Sequence, residues 1–133
     1  MKWIFAIVLI YLTSCAAPHQ QERAQANTSL TATAYKEQHA KKKNTVLVDV
    51  RTSAEFEEGH LQGAQNADFL SKEFEQQMQH WDKNKTYYLY CASGNRSGKA
   101  AKLMEEAGFK HIYNIGGFKE LKEAGLPVKH PKP

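Results

Sequence analysis

Residues 86–90 read Thr-Tyr-Tyr-Leu-Tyr, the densest run of strand-favouring side chains in the chain. The residues just after that run restrict the fold more than the run itself. A loop from Cys91 to Ser97 carries Gly94, and apolar Ala100, Ala101, Leu103, Met104 and Ala107 then define one face of a helix over about 96–107. Gly108 stands where a left-handed residue would end that helix. A strand that passes through a short loop into a helix is the opening of a β-α-β unit, and such units build parallel sheets covered on both faces.

The remaining segments repeat the alternation. Thr45 to Val50 (Thr-Val-Leu-Val-Asp-Val) is a short, nearly continuous apolar run, as expected of a strand buried on both sides. Thr52 and Glu55 have capping-box spacing, so a short helix starts there and stops at Gly59. Gly63 to Ala67 has room for a second short strand. Phe74, Met78 and Trp81 share one face of a helix over 71–81 and read as core packing. His111 to Ile115 is a further strand, Gly116-Gly117 turns the chain, and Gly125 and Pro127 stop a last short helix. Residues 34–43 favour a short helix by propensity. The expected class is α/β, with a central parallel sheet flanked by helices.

Composition narrows the function. At 133 residues the chain has length for one ordinary domain. Charged residues make up 24% and hydrophobic ones 41%, and the formal charge is only +4. That excess is scattered, so no nucleic-acid partner is expected. Lys41-Lys42-Lys43 reads as a solvated helix end. The six histidines are dispersed and the two cysteines, Cys15 and Cys91, have no zinc-ligand spacing, so no metal is expected.

Residues 1–14 have the form of a bacterial export signal. Lys2 is positive, Trp3 to Leu12 is almost wholly apolar, and the run is too short for a mature bilayer span. It ends in Leu12-Thr13-Ser14-Cys15, which resembles the lipobox of bacterial lipoproteins, where the cysteine thiol receives a diacylglycerol. The competing reading is an ordinary secretory signal with a coincidental cysteine. The lipoprotein reading makes Cys15 a membrane anchor and places the protein in the cell envelope, facing the periplasm. Residues 15–34, rich in Ala, Gln, Thr and Ser, then form a flexible tether, and residues 35–133 form the folded domain.

Cys91 lies where a strand ends and a helix is about to begin. Ligands in open α/β sheets bind at the carboxyl ends of strands. A loop there can turn backbone N–H groups inward, and the helix start adds its positive end. The first anion such a nest would hold is the Cys91 thiolate, whose pKa should fall. Arg96 is expected to supply a cation in the same loop. Gly94 lets the backbone curl round the sulfur, Asn95 tolerates unusual dihedrals, and Ser97 can cap the helix. An inert buried cysteine is the bland alternative.

Three segments in order resemble the rhodanese-like family. The first is Asp49-Val50-Arg51-Thr52-Ser53-Ala54-Glu55-Phe56, continuing through Gly59-His60-Leu61 to Gly63-Ala64 and Asn66. The second is the loop Cys91-Ala92-Ser93-Gly94-Asn95-Arg96-Ser97-Gly98. The third is Gly116-Gly117 followed by Gly125-Leu126-Pro127-Val128. Where many relatives carry Trp between the glycine pair and the Gly-Leu-Pro end, this chain has Leu121. The resemblance implies a sheet of about five parallel strands. It also implies a sulfurtransferase in which Cys91 accepts a sulfane sulfur as a persulfide, without cofactor. Ala92, Ser93, Gly94, Asn95, Arg96 and Ser97 would then form the substrate cradle. Asp49, Arg51, Glu55 and His60 would brace the fold, with an Arg51–carboxylate pair as one brace. The donor would be a small sulfur-containing anion such as thiosulfate, and the acceptor cyanide or a thiol. A non-enzymatic domain carrying persulfide for a partner protein is a second reading, and a thiol redox sensor a third. A cysteine-dependent phosphatase fits less well. Four residues separate Cys91 from Arg96, and related phosphatases use a longer loop to hold a tetrahedral phosphoryl group.

Overall fold

A computed structural model describes residues 26–133 of the chain. The export signal, the lipobox with Cys15 and most of the expected tether lie outside the described residues. Five strands make one parallel sheet: β1 (Asn27–Ser29), β2 (Thr45–Asp49), β4 (Gln65–Asn66), β5 (Thr86–Cys91) and β6 (His111–Gly117). Their order across the sheet is β1-β6-β5-β2-β4. A two-residue β3 (His60–Leu61) pairs antiparallel with β7 (Val128–Lys129) and ties the last segment back to the body. Helices α1 (Ala32–Gln38), α2 (Ser53–Glu58), α3 (Glu73–Met78), α4 (Asn95–Glu106) and α5 (Phe118–Glu123) fill the connections. The expected α/β class with a central five-stranded parallel sheet is the observed one.

The two faces of the sheet follow from the alternation of side chains along each strand. On β5, Tyr87, Leu89 and Cys91 join a core with Phe74, Met78, Ala100, Ala101 and Met104 from α3 and α4. Tyr88 and Tyr90 point the other way, into a core with Tyr35 of α1 and Leu121 of α5. Burial on both faces explains why the strand reads as continuous tyrosine and leucine with no polar alternation. Leu121 is fully buried in that second core. Trp81 falls past the end of α3 but still packs edge-on against Phe74, at 5.7 Å between ring centres.

Chain direction puts Cys91 in a particular crevice. From β2 the chain moves outward to β4. From β5, on the other side of β2, it moves the opposite way to β6. The chain therefore leaves the carboxyl ends of β2 and β5 in opposite directions, and ligands in open α/β sheets bind at such a switch point. Cys91 is the last residue of β5.

One boundary differs from the sequence reading. Residues 26–34, expected within the tether, hold β1 and the start of α1. Strand β1 extends the edge of β6 in register, and Thr31 caps α1 by accepting from the Ala34 amide at 3.1 Å. A polar Asn-Thr-Ser edge strand is held by backbone pairing and buries little, so it carries no hydrophobic signature. The expected Gly63–Ala67 strand shortens to β4, and helix 34–43 becomes α1.

The segment after β2 is fastened by a buried ion pair. Asp49 is wholly buried and Arg51 5% exposed. Arg51 Nη2 donates to Asp49 Oδ2 at 2.7 Å and to the Gly59 carbonyl at 2.7 Å, and the guanidinium lies 4.2 Å over the Phe118 ring. Asn66 Nδ2 donates to the carbonyls of both Asp49 and Arg51. One group thus joins the end of β2, the end of α2 and the start of α5. Removing the carboxylate leaves the guanidinium buried without its counter-charge. We expect Asp49→Ala to lose about 3–5 kcal/mol in urea unfolding. A loss under about 1 kcal/mol would show that Arg51 does not depend on Asp49.

Candidate active site

The Cys91 side chain points to the α4 face of the sheet because it is in phase with Leu89. The chain must then turn at once to start α4 beneath it. Gly94 makes the turn with a φ of 89°, and a Cβ there would lie 3.2 Å from the Gly116 Cα. Both the positive φ and the close approach require glycine. Asn95, read as the residue tolerant of unusual dihedrals, is instead the first residue of α4.

Gly94 sits at the N-cap of α4 and has no side chain with which to cap it. The Cys91 sulfur fills that role. The Gly94 N–H donates to Sγ at 3.0 Å and the Ser97 hydroxyl lies 3.5 Å from it. Burial works against the charged form of Cys91. Hydrogen bonds from the Ser97 hydroxyl and from the amides of Ser97, Ser93 and Gly94 outweigh it, so the thiol is held below its ordinary pKa. An N-cap oxygen ordinarily accepts from the second or third helical N–H. Here the sulfur stands at that end of the helix, accepting from the N–H of the N-cap residue Gly94 and lying beside the hydroxyl of the third helical residue, Ser97. Ser97 is therefore not the cap expected from the sequence but a buried hydroxyl in the first turn.

Arg96 is the main correction to the expected site. It is not aimed at the sulfur. Its Nη1 and Nη2 donate to the two carboxylate oxygens of Glu55 at 2.8 and 3.1 Å. Glu55 also completes the capping box of α2, accepting from the Thr52 amide and hydroxyl. The Arg96 hydrogen bond, with the Thr52 contacts, holds the Glu55 carboxyl at about 2 despite partial burial. The pair bridges α2 to the first turn of α4, so Arg96 helps to fix the helix start beside the sulfur. Glu55 thus contacts both helices, through Arg96 and through the capping box. The local signal for this pairing was absent, because the partners are 41 residues apart.

Ala92 and Ser93 are exposed and form the outer rim of the loop, while Cys91 is fully buried beneath it. His60 lies away from the sulfur. Its Nδ1 donates to the Phe56 carbonyl at 2.8 Å and its ring stacks on Phe56.

Asn114 was missed by the sequence reading. It lies on β6, opposite Leu89 of β5 and in phase with Ile112, so its side chain also faces α4. Its Nδ2 donates to the Gly94 carbonyl at 3.0 Å, and its Oδ1 accepts from Gly116 N–H at 3.1 Å and from the Ser97 hydroxyl at 2.8 Å. The available signal was a lone amide between isoleucines in a strand, at a phase facing the core.

The arrangement can hold one anionic sulfur at the mouth of a helix and keep it nucleophilic. Among the described residues there is no cluster of three or more His, Cys, Asp or Glu that could hold a metal ion.

Comparison with known proteins agrees with this construction. Residues 31–124 match the family model described as a rhodanese-like domain. The uncharacterised protein YqhL of Bacillus subtilis is 36% identical over 118 residues, spanning 88% of this chain and 86% of YqhL. The thiosulfate sulfurtransferase PspE of Escherichia coli is 36% identical over 76 residues, 56% of this chain and 71% of PspE. A tRNA uridine(34) hydroxylase of Yersinia pestis matches at 36% identity, but the chain spans only 27% of it. Among solved structures, a rhodanese from E. coli superposes with a TM-score of 0.57 at 32% identity, covering 65% of this chain and 98% of that one. A rhodanese-like domain protein from Staphylococcus aureus gives 0.65 at 29% identity, covering 77% and 98%. With its sheet order, its loop and its sequence in agreement, the chain belongs to the rhodanese-like domain family.

Proposed function

We propose that the protein is a sulfurtransferase that moves a sulfane sulfur from a donor such as thiosulfate to a thiophilic acceptor through a Cys91 persulfide. The observation that carries this reading is the sulfur of Cys91 standing in the cap of α4, with N–H and O–H donors converging on it. Membership of the family and the similarity to a relative named thiosulfate sulfurtransferase support it.

The chemistry runs in two half-reactions. The Cys91 thiolate attacks the outer sulfur of thiosulfate. A new S–S bond forms, the old one breaks, and the bonding pair leaves with sulfite, a weakly basic leaving group. Cys91 now carries a persulfide whose terminal sulfur bears the negative charge. Cyanide or a thiolate then attacks that terminal sulfur, and the electron pair returns to Cys91 as thiolate. The second product is thiocyanate or a new persulfide. No redox partner, metal or cofactor enters the balance. The loop N–H groups offer the same donors to the thiolate and to the persulfide, so the charge is held throughout. Arg96, occupied by Glu55, orients the helix start and leaves the sulfur to neutral donors. The short loop, with four residues between Cys91 and Arg96, favours sulfur over a phosphoryl group as cargo.

Steady-state kinetics with thiosulfate and cyanide test the reading, with thiocyanate as the measured product. A covalent intermediate predicts parallel double-reciprocal lines, the ping-pong pattern. Cys91→Ser should lower kcat/KM by at least about a thousandfold, since the nucleophile itself is removed. Intersecting lines, or a Cys91→Ser variant with near-normal turnover, would reject it.

The apolar run and the cysteine at its end support a further part of the reading: an exported domain tethered to the envelope membrane through lipid on Cys15. Expression in a bacterial host with labelled palmitate should give a labelled, membrane-associated protein. Cys15→Ser should abolish the label and release the domain. Unlabelled wild-type protein cleaved at another position would favour an ordinary secretory signal.

A further inference from the structure

Asn114 makes three hydrogen bonds around the sulfur and none to it. Two of them fix which way its amide faces. The Gly94 carbonyl can only accept, so Nδ2 must point there. The Gly116 N–H can only donate, so Oδ1 must point to that side. Oδ1 is thereby committed to the Ser97 hydroxyl, at 2.8 Å.

Ser97 has a single hydroxyl proton and two acceptors within reach: Asn114 Oδ1 at 2.8 Å and Cys91 Sγ at 3.5 Å. While Cys91 is a neutral thiol, the proton goes to Oδ1, and the hydroxyl oxygen is free to accept from S–H. When the sulfur is an anion, a hydroxyl still turned to Oδ1 would present its lone pairs to the negative charge. The proton must then swing to the sulfur and the short bond to Asn114 is given up. The two acceptors compete for one proton, and Asn114 is the competitor whose orientation the backbone has fixed. The surroundings leave it little freedom, since a Cβ on Gly98 would come within 3.2 Å of Asn114 Nδ2.

We propose that Asn114 is a positioning residue for sulfur transfer, which governs where the Ser97 hydroxyl points and through it the balance between neutral and anionic Cys91. The consequence for catalysis rests on the reading of Cys91 as sulfur carrier. The competition itself does not. Among the described residues, the one charged group whose field reaches the sulfur is Arg96 of α4, whose guanidinium is turned to Glu55 of α2 and also feels Asp68 beyond β4. On β6 the neighbours are the uncharged Asn114, Gly116 and Gly117, and on β2 the apolar Val48 and, just past its end, Val50 lie in the same core as Cys91. Asn114→Ala and Ser97→Ala leave all the charged groups in place, so a shift in the sulfur's titration reports on the Asn114–Ser97 pair, whereas Asn114→Asp adds a charge whose direct effect is separated by comparison with the Ser97→Ala background.

The test is the rate of iodoacetamide alkylation of Cys91 against pH, in the full chain with Cys15 replaced by serine so that one thiol remains. Removing the competing acceptor with Asn114→Ala should lower the titration midpoint by about half a unit, the size of one modest hydrogen bond. Asn114→Asp keeps the acceptor and adds charge, so it should raise the midpoint by about one unit or more. Both shifts should act through the hydroxyl. In a Ser97→Ala background the downward shift should vanish and the upward one should shrink. A merely structural role would slow alkylation at every pH or destabilise the fold without moving the midpoint in opposite directions. Equal shifts with and without the Ser97 hydroxyl, or no shift in either variant, would overturn the proposal. If Asn114→Ala does not fold, the isosteric Asn114→Asp against Ser97→Ala decides alone. Alkylation needs no sulfur donor. Midpoints that move in a protein that never takes up sulfur would therefore sink the functional reading and leave this inference standing. Uptake of sulfur with unmoved midpoints would do the reverse.

Discussion

On the proposed reading, a sulfur atom in a residue with no exposed surface has to carry a negative charge, and the architecture around Cys91 answers that requirement. An isolated charge in a protein interior is strongly disfavoured, so donors must converge on it. A strand end supplies the position, because side-chain alternation along β5 turns Cys91 toward α4. A helix start supplies the donors, because the first-turn N–H groups have no partners within the helix. Gly94 brings the two together at a φ of 89° and packs against Gly116, so that the loop is closed between neighbouring strands. With an ordinary side chain at Gly94, the sulfur and the helix start could not meet in this way.

The charge is held by neutral groups, and the cation is kept one step away. Arg96 binds Glu55, which belongs to the capping box of α2. Two helices that are distant in sequence are thereby locked at the rim of the crevice between β2 and β5. On the other side of the sheet, Asp49 and Arg51 fasten the end of β2 to α2 and α5. The segment from Asp49 to Gly59 thus works as framework throughout. One acid anchors the helix that carries the loop, and one ion pair anchors the strand that borders it. On the proposed reading, neutral donors suit a sulfur that must give up its cargo, since a directly bound cation would stabilise the anion more strongly and make it a poorer nucleophile.

What the sequence revealed, and what it hid, divides by the range of the interaction. The β5 strand, the glycine turn, the capping box at Thr52–Glu55 and the helix stop at Gly108 are written in neighbouring residues, and each stands where its local chemistry placed it. The Asp49–Arg51 pair is two residues apart and was equally accessible. The partner of Arg96 was not. A cation in the loop was assigned to the nearest anion in sequence, the thiolate, when a carboxylate 41 residues away held it. Asn114 was hidden for the same reason, since its three bonds reach the loop from β6. Strand β1 escaped because an edge strand of Asn, Thr and Ser buries too little apolar surface to leave a pattern.

The central claim is that Cys91 carries sulfur, and the most direct measurement is the intact mass of the domain after exposure to thiosulfate and removal of excess donor. We expect the wild-type domain to gain the mass of one sulfur atom, the Cys91→Ala variant to gain nothing, and cyanide to return the loaded protein to its starting mass. An unchanged wild-type mass with thiosulfate and with small-molecule persulfides, or an equal gain in the Cys91→Ala variant, would contradict it.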